Sequence, residues 1–143
     1  MIIRDATFDD IRELVVLLAQ LGYKQDIDEF TEDFRSFVER DGYHIFVAEI
    51  DQKIAGMIAI STTHIITKKT RIEIEALIVK EKYRRRKVGS NLIKHVENYA
   101  KQYAPVVIQL VSNIKRKRAH EFYKNLGYGN EGQNEKAYFR KDI

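Results

Sequence analysis

The stretch Glu75 to Tyr99, EALIVKEKYRRRKVGSNLIKHVENY, decides the fold. Ala76-Leu77-Ile78-Val79 reads as a buried strand, and Tyr83 to Val88 as a turn carrying Arg84, Arg85, Arg86 and Lys87. Gly89 starts the next helix, whose Leu92, Ile93, Val96, Tyr99 and Ala100 point inward. The first N–H groups of a helix lack partners within it and carry the positive end of its dipole. A phosphate placed there gains hydrogen bonds and charge compensation together, and four cationic side chains add Coulomb attraction. Most charge runs are solvated turns. This one lies between a strand and a helix N-terminus, which favours phosphate binding.

Outward from that stretch, strands and helices alternate. Residues 1–6 predict a short strand, and Thr7 with Asp10 an N-cap with a box-like partner. Ile11, Leu14, Val15, Leu18 and Leu21 follow helical spacing up to Gly22. Phe30, Phe34, Phe37 and Val38 mark a second helix over residues 27–39, stopped by Asp41-Gly42. Residues 44–50 and 53–61 flank Asp51-Gln52 as a hairpin, and 62–70 is a polar loop. In the strand 71–79, Ile72, Ile74 and Ala76 alternate with Glu73, Glu75 and Leu77. Pro105 ends the third helix before a strand over 106–111. The last helix has Ala119, Phe122, Tyr123 and Leu126 as its apolar face and Gly127 as its cap; Tyr128 and residues 137–141 are expected to add a closing strand pair. The order predicts an α/β (α+β) domain with helices covering a mixed sheet.

With 143 residues and 44% apolar content, the chain is sized for one domain with a single core, expected over residues 1–143. It has no cysteine, which excludes disulfides, thiolate metal sites and cysteine nucleophiles and fits a reducing, cytoplasmic setting. No 18-residue apolar run and no signal-peptide pattern is present, so a soluble intracellular protein is expected, with no membrane partner. The net charge of +4 hides a strong asymmetry: residues 80–87 and 115–118 together carry +9, and the remainder is −5. Positive potential is focused on a polyanion site, and the acidic remainder suits an amine partner.

Arg84-Arg85-Arg86-Lys87-Val88-Gly89 resembles the acetyl-CoA motif Q/R-x-x-G-x-G/A of the GNAT superfamily of N-acetyltransferases, with Lys87 in place of the first glycine. Arg116-Lys117-Arg118-Ala119-His120-Glu121-Phe122-Tyr123-Lys124-Asn125-Leu126-Gly127-Tyr128 is similar to the later signature R-x-x-A-x-x-F-Y-x-x-x-G-F/Y. The resemblance extends to the order of elements. It implies a mostly antiparallel central sheet of six to seven strands flanked by about four helices, and acetyl transfer from acetyl-CoA to a primary amine. It further implies that N–H groups from Arg85 through Lys87, Val88 and Gly89 to Ser90 wrap the pyrophosphate, beside Arg84. Leu77, Ile78 and Val79 would take the pantetheine arm as an added strand, beside their simpler role as core.

Asn113 reads equally as a turn former or a cofactor contact. Tyr123 reads by itself as a packed core tyrosine; the resemblance implies that it protonates the leaving thiolate and contacts the cofactor. Amine acetylation also needs a base or a water path. Glu75 is the candidate base or amine contact, against the commoner role of a surface carboxylate paired with a cation. Without cysteine, direct transfer in a ternary complex is favoured over a covalent relay, with a backbone N–H near Ile78 or Val79 holding the thioester carbonyl. His44, His64, His95 and His120 lack metal-ligand spacing, so no metal is assigned. The resemblance admits a homodimer, for which the sequence marks no interface. The rival class is a nucleic-acid-binding protein built on the two basic tracts, with a CoA-binding fold that has lost catalysis as a third. The acidic remainder and the lack of a recognition motif weigh against nucleic acid.

Overall fold

The computed structural model describes residues 1–112, 115–129, 137 and 139–143. Residues 1–111 form one compact unit and residues 112–143 a second. The first contains β1 (Ile2–Asp5), α1 (Ile11–Gln20), α2 (Ile27–Val38), β2 (His44–Ile50), β3 (Lys53–Thr63), β4 (Thr70–Val79), α3 (Val88–Ala100) and β5 (Val106–Leu110). The second contains α4 (Lys117–Asn125).

The strands form one sheet in the order β1-β2-β3-β4-β5. The first three pairings are antiparallel and β4 pairs with β5 in parallel. A parallel neighbour needs a crossover, and α3 supplies it. Asp51 and Gln52 both take positive φ, +49° and +65°, as a two-residue turn matched to the strand twist requires. α1 and α2 cover one face, where Leu14, Leu17 and Phe34 pack with Ile45, Val47, Met57, Ala59 and Ile78. The apolar stripe of α3, Val88, Leu92, Ile93, Val96 and Ala100, is buried as well.

Four expectations change. Leu17 is fully buried while Leu21 is 42% exposed, because α1 ends at Gln20 and Gly22, at φ +89°, turns the chain away. Among the described residues the sheet has five strands, not six to seven. Of the expected closing strand pair, residue 138 lies outside the described residues; Tyr128 follows the helix cap, where its N–H donates to the Tyr123 carbonyl at 3.0 Å, and residues 137 and 139–141 are not in a strand, Phe139 being 95% exposed. The third change is in β4. Ala59 opposes Ala76 but Ile60 opposes Ile74, so Glu75 is an extra residue in a β-bulge. The bulge breaks the alternation: Ala76 joins the cluster under α1 and α2, while Ile74, expected on the same face, is buried outside that cluster. β3 also runs on to Thr63, which shortens the polar loop to residues 64–69.

Candidate acetyl-donor and acceptor site

β5 pairs with β4 only from Thr70↔Val106 to Ile74↔Leu110, so residues 75–79 of β4 lack that neighbour. The Lys80 N–H donates to the Ala55 carbonyl at 2.8 Å, which makes Lys80↔Ala55 a hydrogen-bonded pair of the antiparallel ladder. Such pairs alternate, so Ile78 also turns its polar groups to β3, and Leu77 and Val79 turn theirs outward. The three residues expected to serve together are thereby divided. Ile78 is core, 2% exposed, while Leu77 and Val79 direct their backbone groups to the open side, where the Val79 carbonyl meets Gln20.

A turn over Glu81–Tyr83 leads from β4 to the cationic loop. Tyr83 is buried, and the Lys82 ammonium and Arg86 guanidinium lie over its ring, 5.1 and 5.6 Å from the centroid. Arg84 is extended, Arg85 left-handed at φ +66°, and Lys87 left-handed at φ +61°, ψ +21°. Alternation of hand turns successive N–H groups toward one concavity, the nest geometry of anion sites. Lys87 is the N-cap of α3, the first turn of that helix contains no acidic residue, and no side chain caps it. The Ser90 hydroxyl instead donates to the Lys87 carbonyl at 3.2 Å. Val88 is buried and anchors the helix start, with Gly89 partly buried behind it. Among the described residues, Arg84, Arg85, Arg86 and Lys87 form no salt bridge.

Gly56 on β3 lets the helix start come this close. A Cβ there would lie 2.8 Å from the Ile78 carbonyl oxygen and 3.1 Å from Val88 Cγ1. A glycine inside a strand is itself the signal for close approach. Gln20 has no such signal, yet its side chain bonds both the Val79 carbonyl and the Glu81 N–H.

Glu75 is exposed at the bulge and accepts a hydrogen bond from the buried Ser61 hydroxyl at 2.7 Å, rather than pairing with a cation. Glu73, two residues earlier, accepts from Gln109 Nε2 at 2.7 Å. In the second unit, Tyr123 is partly buried on α4, with its ring 5.2 Å from Phe122 and 6.3 Å from Tyr128. Burial pushes its phenol pKa up, against a smaller lowering by Arg116, so the hydroxyl stays protonated through neutral pH. Asn113 lies outside the described residues.

Comparison with known proteins gives a consistent result. The profile of the acetyltransferase (GNAT) family matches residues 9–128. An aminoalkylphosphonate N-acetyltransferase of Salmonella typhimurium (strain LT2) is 30% identical over 128 residues, 88% of this chain and 83% of that protein. A solved structure, a putative acetyltransferase from Agrobacterium tumefaciens, superposes with a TM-score of 0.85 at 20% identity, covering 99% of this chain and 100% of the other. An aminoglycoside 6'-N-acetyltransferase from Acinetobacter baumannii gives 0.82, also at 20% identity, over 99% and 98% of the two chains. At such identities the structural likeness speaks to the fold.

Proposed function

The chain belongs to the GNAT acetyltransferase family and transfers an acetyl group to an amine, and on that premise we propose acetyl-CoA as donor, direct transfer as route, and a short primary amine as acceptor. The observation that carries the donor assignment is the cationic turn. Arg84, Arg85, Arg86 and Lys87, which form no salt bridge among the described residues, include two left-handed residues at the uncapped start of a 13-residue helix, and Gly56 keeps the space beneath it close-packed. That arrangement fits a pyrophosphate held by N–H groups from Arg85 to Ser90.

The outward-facing backbone of Leu77 and Val79 suits an amide-bearing arm laid along β4, and one of their N–H groups is the donor for the thioester carbonyl. Acetyl-CoA supplies the activated acetyl group. The amine forms a C–N bond as the C–S bond breaks; Glu75 or a water on it takes the amine proton, and Tyr123 gives one to the departing sulfur. The absence of cysteine supports direct transfer. Residues 1–143 act as one N-acetyltransferase domain in this reading, supported by a family match that runs across both units. A cytoplasmic site of action is proposed on the same grounds. Among the described residues, no helix is long and apolar enough to cross a membrane. The named relative acts, by its description, on aminoalkylphosphonates, which places a small amine with an anionic group first among acceptors to test.

The test is calorimetric titration with acetyl-CoA together with thiol release across a panel of amines. Charge reversal at Arg84 is expected to weaken acetyl-CoA binding roughly 10-fold or more, the scale of a lost charge-assisted hydrogen bond made repulsive. No binding at millimolar acetyl-CoA, with tight salt-sensitive binding of DNA or RNA, would transfer the basic tracts to the nucleic-acid reading.

A further inference from the structure

Ser61, Thr63, Arg71, Glu73, Glu75 and Gln109 share one face of the sheet. Met57 and Ala59 on β3 pack under α1 and α2, and alternation carries Ser61 and Thr63 to the same face. Ser61 is in register with Glu73, and Thr63 with Arg71. Across the parallel pairing, Gln109 is in register with Glu73 and Val107 with Arg71. The intervening Ile72 and Ile74 are buried on the other face. Along β4 the order is therefore Arg71, Glu73, Glu75, then the outward backbone of Leu77.

Charge on this face is not internally satisfied. Glu75 accepts from Ser61 and Glu73 from Gln109, and among the described residues neither carboxylate forms an ion pair with Arg71. Arg71 is partly buried, and its Nε is sealed from solvent with no hydrogen-bond partner among the described residues. A guanidinium carries donors in a planar fork that matches carboxylate or phosphonate oxygens, and a buried donor left unmet is costly. Its flanking neighbours, Thr63 and Val107, are exposed, which leaves room beside it.

Resting on the acetyl-transfer reading above, we infer that Arg71 is the anion-binding residue of the acceptor site, and that the acceptor is a short amine bearing a phosphonate or carboxylate group. The strand lays the two ends out in order. The amine lies toward Glu75, next to the open edge where the acetyl group is delivered, and the oxyanion toward Arg71. Alternate residues on one strand face stand about 7 Å apart, which puts Arg71 and Glu75, two such steps apart, about 13 Å from one another at Cα; long side chains lean along the strand, and the reach of a guanidinium and a carboxylate narrows that span to a molecule of a few bonds in length.

The experiment compares 2-aminoethylphosphonate, β-alanine and propylamine as acceptors for the wild type, Arg71→Met and Arg71→Lys, with thiol release as readout. Binding of 2-aminoethylphosphonate and propylamine is measured in parallel by calorimetry without acetyl-CoA. The expected result is a wild-type preference for the anionic amines, expressed mainly in KM. The preference should fall about 10-fold to 100-fold in Arg71→Met and be partly restored in Arg71→Lys. The phosphonate and β-alanine arms decide which oxyanion is favoured. Equal use and equal binding of propylamine and the phosphonate by the wild type would overturn the inference, as would an unchanged preference in a folded Arg71→Met. Failure of every amine to release thiol, with Arg71-dependent phosphonate binding intact, would count against acetyl transfer and leave the anion site standing.

Discussion

The side chain of Gln20, the last residue of α1, spans the end of β4: its Nε2 donates to the Val79 carbonyl at 3.1 Å and its Oε1 accepts from the Glu81 N–H at 3.3 Å. Val79 turns its carbonyl away from β3, into the side left open where β5 stops pairing. One amide thus does for two residues what a neighbouring strand would have done. It fixes the junction from which the cationic turn departs.

Gln20→Ala is expected to cost little in stability, about 0.5 to 1.5 kcal/mol, because the side chain is exposed. Acetyl-CoA affinity should fall about 2-fold to 10-fold as the turn loses its fixed origin. Gln20→Glu should do worse, since it keeps an acceptor for Glu81 but sets an oxygen against the Val79 carbonyl. Unchanged calorimetric Kd values in both variants would show the clamp to be idle.

Lys87 has two effects that separate cleanly. Its φ of +61° lies in the region that favours glycine, and this geometry exists without ligand, so strain is a stability effect and the lysine charge an affinity effect. Lys87→Ala and Lys87→Gly should weaken acetyl-CoA binding alike, by about 2-fold to 10-fold. Only the glycine variant should regain stability, with the pair differing by roughly 1 kcal/mol in urea unfolding. Tighter binding in Lys87→Gly would refute the charge contact.

Tyr123→Phe keeps the ring contacts with Phe122 and Tyr128 and removes the proton donor. Turnover should drop ~100-fold to 10000-fold if the phenol is the general acid, with acetyl-CoA affinity almost unaltered. Single-turnover rates that match the wild type would return Tyr123 to a packing role.

Asp10 controls acid stability. Burial by itself raises its carboxyl pKa, but hydrogen bonds from Arg4, at 2.8 and 3.0 Å, and from the Thr7 N–H, at 2.8 Å, outweigh it and leave the pKa below the ordinary value. A pKa lower in the folded state means stability that is present above the unfolded value, near 3.9, and lost as pH falls through the folded one. Asp10→Asn should cost about 1 to 3 kcal/mol at neutral pH, discounted because Arg4 is partly exposed and keeps Glu49. Its denaturation midpoint should also depend less on pH between roughly pH 5 and pH 3 than that of the wild type. Parallel pH profiles for the two proteins would assign the acid sensitivity elsewhere.

The helices, hairpin and cationic turn were legible because each rests on local chemistry: apolar spacing, turn residues, and glycine at the ends of α1 and α4. Gly56 carried a readable signal too, a glycine within a strand. The bulge at Glu75 was not readable, since a β-bulge is a mismatch between two strands and EIEALIV by itself shows only alternation. For the same reason Leu77, Ile78 and Val79 looked equivalent in sequence. Which of them turns its backbone outward is set by the ladder partner, here Ala55 for Lys80.

By itself, the sequence determined the order of elements from β1 to α4, the place of the cationic turn and the resemblance to the family, because strand, turn and helix signals are short-ranged and the charges are contiguous. Only the tertiary structure decided that Lys87 is left-handed, that Gln20 clamps Val79 from 59 positions away, and that Arg71 Nε is buried without a hydrogen-bond partner among the described residues, beside carboxylates that accept from other side chains. Those facts depend on which distant groups compete for each donor and acceptor. Spacing along a chain does not encode that competition; packing does.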